Sequence, residues 1–358
     1  MKKESKKVGA YEIAPGMTSE EILSIFFDEK ALKEQPERVF RLDSSGHRYY
    51  YTFNEKGEAQ FFVSVTTLIK QTTPTSPHLV KWIAEMGYEE AGEFTQERAD
   101  YGTFMHAEIA KLLIEREVDL DGMKERLRDF ITDNELPVGF MVHFDELKKD
   151  VAAFAQFAVD CNVRPLAIEI VLTHPRDGYA GALDLPCVME IEQKGYWGEV
   201  YKSGAQKGKP KETKKKIEVV ALVDFKSGRK GFYEDHEIQL AAYREMWNVH
   251  YPDLRIERMF NWSPKDWRGK VPTYNLKDQT ESPNIEKLKH LVEIARIEDG
   301  KRSKNIMVVS GKISLDNPVT IAESIQEMEL SELVKKKGRY KDETTPETAK
   351  LDEGREEE

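Results

Sequence analysis

The chain has 358 residues, 39% hydrophobic, 33% charged and 10% aromatic, enough apolar bulk to exclude wholesale disorder. Its formal net charge of −11 argues at first sight against a nucleic-acid partner, but the charges are unevenly spread. Residues 342–358 hold eight acids against two bases, whereas residues 202–216 (KSGAQKGKPKETKKK) hold seven lysines and one glutamate, so an anionic substrate is not excluded.

Cys161 and Cys187 form no CxxC pair and cannot supply the thiolates an iron–sulfur cluster needs. MKKESKK is basic, but VGAYEIAPG behind it is no apolar signal core. No apolar run approaches the ~18 residues of a membrane span. These features predict a soluble, cytoplasmic protein without a membrane partner.

In chain order, Thr18 and Glu21 have capping-box spacing and predict a short helix. RVFRL, RYYYTF and QFFVSV, separated by turn residues, predict a small antiparallel meander. Helical sequence follows around Trp82 and from Thr103 to Glu117. Phe144, Leu147, Val151, Phe154 and Ala158 recur at spacings of three and four, the mark of an amphipathic helix. Three strands are then expected: LAIEIVLTH, YAGALDLPCVMEI and IEVVALVDFK. The turn PRDG separates the first two, and the lysine-rich segment, read as an inserted loop, precedes the third. A helix over 234–250 and a strand LRIERMFNW complete the series. A hairpin at PRDG and a helical crossover before the last strand predict a mixed sheet flanked by helices. Further helices are expected near Asn284–Ile297 and Thr320–Lys336, with a charged, disordered tail over 337–358.

Asp224 and Lys226 end the strongest strand, and residues two apart on a strand share a face. Asp184 lies in a neighbouring strand-like run. Glu169, read as mid-strand in the apolar AIEIVL, is costly there unless paired or metal-bound. Carboxylates on rigid strands suit Mg2+, which assists phosphoryl displacement, and an adjacent lysine can neutralise developing charge. Taken singly, each residue reads more readily as structural, Asp224 and Lys226 as a strand-end salt bridge and Asp184 as a turn contact; order and spacing carry the argument.

Asp184 in GALD, Asp224 and Lys226 in VDFK, and Gln239 and Tyr243 in QLAAY resemble the PD-(D/E)XK nuclease superfamily. The RecB-like exonuclease branch, with phage and CRISPR-associated members, is the nearest in pattern. Gly102 and His106 (GTFMH) match that branch's G-x-x-x-H, and Glu169 its acid on the first core strand. The likeness spans roughly residues 97–262, but the four cluster cysteines of many relatives are absent.

The resemblance implies an α/β fold with a restriction-endonuclease-like αβββαβ core over 143–336. Residues 1–142 would form a β-meander and helical elaboration contributing His106. It implies a metal-dependent DNA exonuclease using one or two Mg2+ or Mn2+, acting in recombination, repair or phage DNA processing. DNA ends or single strands, and a recombination or helicase protein, would be its partners. Asp184, Asp224, His106 and the Phe225 backbone carbonyl would be metal ligands, with Glu169 binding directly or through water. Lys226 would orient the attacking water. Gln239 and Tyr243 would touch substrate or hold Lys226, although Tyr243 is equally readable as core. Lys214, Lys215 and Lys216 could contact phosphates or simply be solvated. A DNA-end-binding accessory without turnover and a structure-selective endonuclease are the competing readings.

Overall fold

The computed structural model describes residues 6–8, 11–13, 36–44, 47–57, 59–229, 231–299, 305–309 and 325–329. The helix expected at Thr18 and the tail over 337–358 lie outside them. The chain divides into two compact units, residues 1–50 with 62–295 and residues 51–61 with 296–358. It is a mixed α/β protein, and no helix among the described residues is long and apolar enough to cross a membrane.

The strands β1 (Lys6–Val8) and β2 (Tyr11–Ile13) pair with each other. β3 (Phe40–Ser44), β4 (His47–Phe53) and β5 (Ala59–Ser64) follow, in the three runs expected of the meander. They do not stand alone. β5 pairs in parallel with β8 (Tyr179–Leu183), which pairs antiparallel with β7 (Ile170–His174), giving a five-stranded sheet of order β3-β4-β5-β8-β7. Ser64 caps the next helix, α1 (Val65–Thr72), by accepting the N–H of Thr67. The helices α2 (Pro77–Met86), α3 (Tyr88–Glu115) and α4 (Met123–Asp133) lead through a 3-10 turn over Val138–His143 to α5 (Phe144–Asp160).

A second sheet has the order β12-β11-β10-β9-β6. Its members are β6 (Arg164–Pro165), β9 (Leu185–Val200), β10 (Pro210–Phe225), β11 (Arg258–Lys265) and β12 (Thr273–Asp278). β9 and β10 are antiparallel, whereas β10 and β11 are parallel and joined through α6 (Glu234–His250). The sheet is therefore mixed, as hairpin and crossover logic predicts. Alternation along β10 sends Val219, Ala221, Val223 and Phe225 into a core with α3, α4 and α5. Leu222 points to the opposite core, with α1, α6 and α7 (Lys287–Asp299). Helices thus cover both faces.

Four expectations are corrected. YAGALDLPCVMEI is two strands in two sheets, broken at Asp184, because Leu183 and Leu185 enter different cores and the chain bends between them. LAIEIVLTH pairs as β7 only from Ile170. Glu169 is therefore not mid-strand but precedes it in a left-handed conformation, φ 52°. The segment 202–216 is not a loop throughout, since Pro210–Lys216 lies in β10 opposite β9. Finally, Ile325–Glu329 is not helical: it forms β14, paired antiparallel with β13 (Asn305–Val309), whose NIMVV run favours extended backbone.

Candidate functional site

The C-terminal end of β10 lies where helices and both sheets meet. IEVVALVDF is rich in β-branched residues, and its last turn outward leaves Asp224 1% exposed beside Asn261, its register partner on β11. Asp224 Oδ2 accepts from Lys226 Nζ at 2.7 Å and from Asn261 Nδ2 at 2.8 Å. The Asn261 carbonyl oxygen in turn accepts from buried Gln279 at 3.1 Å. Asp224 Oδ1 is buried and has no hydrogen-bond partner among the described residues. An unsatisfied carboxylate oxygen in a dry site is costly and calls for a cation or donor.

Asp184 reaches this strand end from the break between β8 and β9. Its Oδ2 accepts the Phe225 N–H at 2.6 Å, and its Oδ1 lies 3.8 Å from His106 Nδ1. Burial pushes the Asp184 carboxyl up; His106 opposes this, while Asp224 and Glu169 add to it.

His106 comes from the middle of α3. Tyr101, Met105, Ile109 and Leu113 of that helix are buried at spacings of four, which fixes its rotation and turns His106 toward the sheet. The imidazole packs edge-on against the Phe225 ring at 5.4 Å and bonds Glu169 Oε1 through Nδ1 at 2.9 Å. Burial alone would lower its pKa, but Asp184 and Glu169 outweigh that and raise it to about 9. Glu169 is held in place by its own N–H, which donates to the Asp184 carbonyl at 2.9 Å. One ligand atom from each of His106, Glu169 and Asp184 lies within 4.8 Å of the others. The carboxylate oxygens are hard donors of the kind that suit Mg2+ and Mn2+, and the imidazole adds one softer nitrogen donor.

Lys226 lies one residue beyond β10, its N–H donating to the Trp262 carbonyl at 2.8 Å. Its ammonium also donates to Gln239 Oε1 at 3.0 Å, and Gln239 Nε2 donates to the Tyr243 hydroxyl at 2.7 Å. Four-residue spacing on α6 aligns this pair. Tyr243 is both a relay end and core: it is 5% exposed, packed among Ile238, Ala242 and Met246, and burial raises its pKa.

Asp184, Asp224, Lys226, Glu169, His106, Gln239 and Tyr243 are thus brought to one place. Lys214, Lys215 and Lys216 are not; they sit further back on β10, where Lys214 pairs with Glu192 and Lys216 with Glu190, and Lys215 lies over the Trp197 ring. Sequence reasoning missed Asn261 and Gln279. A lone asparagine inside the apolar RMFNW strand is the signal that could have found the first. Also missed was Arg229, which pairs with Glu146 and Asp150 of α5 and fixes the loop behind Lys226.

No family model matches the chain, and no curated protein matches it.

Proposed function

We propose that the protein is a metal-dependent DNA nuclease of restriction-endonuclease-like core, acting as an exonuclease. The observation that carries this reading is the buried, unpartnered Asp224 Oδ1 beside the His106–Glu169–Asp184 group, with a lysine anchored two residues away. His106, Asp184, Asp224 and the Phe225 carbonyl would hold Mg2+ or Mn2+, with Glu169 binding directly or through water. The ion would supply Lewis acidity and a more acidic water.

The chain's own residues do the rest. Two of the three ammonium donors of Lys226 are directed to Asp224 and Gln239, which leaves one for a water or phosphoryl oxygen. Developing negative charge there is stabilised without reorganisation, because Gln239 and Asp224 already fix the ammonium. Tyr243 holds Gln239 and does not touch the reacting atoms.

End-labelled linear DNA and covalently closed circular DNA, each incubated with Mn2+, provide the test. Degradation of the linear form alone is expected, with Asp224→Ala and Lys226→Ala inactive. Cleavage of circles would replace the exonuclease reading with an endonuclease one. DNA binding without products in Mn2+ would leave an end-binding accessory instead.

A further inference from the structure

The hairpin of β9 and β10 extends beyond the body that holds the site. Its last core-packed rung is Ile191 opposite Ile217. Beyond that rung the backbone continues as a two-stranded ribbon to Val200 and Pro210, and every residue from Gly198 to Glu212 is exposed. At about 3.4 Å per residue, the nine residues from Ile191 to Val200 carry the ribbon roughly 30 Å outward.

Charge is sorted along it. At the base, Lys214 and Lys216 are neutralised by Glu192 and Glu190. Lys194, opposite Lys214, and further out Lys202, Lys207, Lys209 and Lys211 have no carboxylate partner among the described residues, and only Glu199 and Glu212 oppose them over residues 193–212. Trp197 stiffens the junction by donating its indole N–H to the Thr213 carbonyl at 3.1 Å. The tip is thus cationic while the base is internally paired.

We propose that this ribbon is an arm that grips double-stranded DNA remote from the scissile end, its outer lysines contacting phosphates. A two-stranded ribbon is an element the B-form major groove admits, whereas the deep, narrow major groove of A-form RNA excludes it. The proposal rests on the nuclease reading for where the DNA end sits. Lys211 and Asp224 are thirteen residues apart on one strand, so about 44 Å separates tip from site. A duplex whose end lies at Asp224 reaches the tip only when longer than about 13 base pairs, at 3.4 Å each.

Full-length protein carrying Lys202→Gln, Lys207→Gln, Lys209→Gln and Lys211→Gln tests this in metal-free buffer. Binding would be measured to 30-bp and 10-bp duplexes and a 30-nucleotide single strand, at several salt concentrations. The arm predicts at least tenfold weaker binding to the 30-bp duplex, with a salt slope shallower by about 3 to 4, and under twofold change on the 10-bp duplex. Replacing the same lysines by arginine restores both. Unchanged affinity and slope on the 30-bp duplex overturn the proposal; so does equal loss on both duplexes, or a larger loss on the single strand. Cleavage with Mn2+ is scored separately. An inactive wild type that still shows the length-dependent loss would sink the nuclease reading and leave the arm.

Discussion

The carboxylate of Asp184 accepts the backbone N–H of Phe225 at 2.6 Å, tying the residue that breaks β8 from β9 to the final residue of β10. One oxygen holds the strand end while the other faces His106. Asp184→Asn keeps an acceptor for Phe225 but removes the charge. It is expected to melt close to wild type while losing Mn2+-dependent cleavage by about 100-fold or more. Asp184→Ala loses both and should also cost about 1–3 kcal/mol of stability. Urea melts alongside single-turnover cleavage separate the two roles; equal stability of the two variants would deny the structural one.

Asn261 is fully buried, and among the described residues its side-chain amide N–H is one of two donors to the Asp224 carboxylate. Asn261→Ala should destabilise the metal-free protein by about 1–3 kcal/mol, because Asp224 and Gln279 both lose a partner in a dry site. Asn261→Asp should be worse, since it sets one buried carboxylate against another. Equilibrium urea unfolding in chelator gives both values, and an Asp variant as stable as wild type would contradict this account.

Gly181 of β8 lies under the Tyr243 ring, where an added Cβ would come within 2.6 Å of Cε1. The ring is buried and has little room to yield. Gly181→Ala is expected to cost about 1–3 kcal/mol by overpacking. It should also displace Tyr243 from Gln239 and so loosen Lys226. A Gly181→Ala, Tyr243→Phe double variant tests the coupling: if the ring is the obstacle, Phe gives no relief in stability, because it keeps Cε1.

Asp150 is buried in α5, accepting from Tyr101 at 2.6 Å and pairing with Arg229. Burial raises its pKa to about 6, against the pull of Tyr101 and Arg229. A carboxyl whose folded pKa exceeds its unfolded value takes up its proton more readily when folded. Its contribution is complete below about pH 4 and is lost as pH rises through 6, at up to ~1.4 kcal/mol per pH unit. Comparing the pH dependence of unfolding free energy for wild type and Asp150→Asn over pH 4–6 isolates it. The variant should lack that decline, and parallel curves would refute the assignment.

Much of this arrangement was legible in the sequence because local pattern and tertiary role agree. Periodicity placed α5, and the two-residue spacing put Asp224 and Lys226 on one face. Glu169 was misread for a physical reason. AIEIVL has strand composition, but pairing is decided by where β8 offers a partner, and that begins opposite Ile170. The lysine-rich segment was misread because polar, Gly-containing sequence usually forms loops. Lys214 and Lys216 are nevertheless extended, held by cross-strand glutamates. Asn261 stands out as a lone polar residue in an apolar strand, but its role depends on a parallel neighbour 37 residues away, which its own segment does not encode.

Glu169 is the one position of the site where backbone and side chain make opposing demands. At φ 52° a glutamate gives up about 1–2 kcal/mol that an asparagine or glycine would largely keep, yet neither has a carboxylate to offer His106. A descendant released from any need for that carboxylate therefore gains stability by changing residue 169 first. Glutamate held there across lineages would record continued selection for the site, and drift to asparagine or glycine would date its loss.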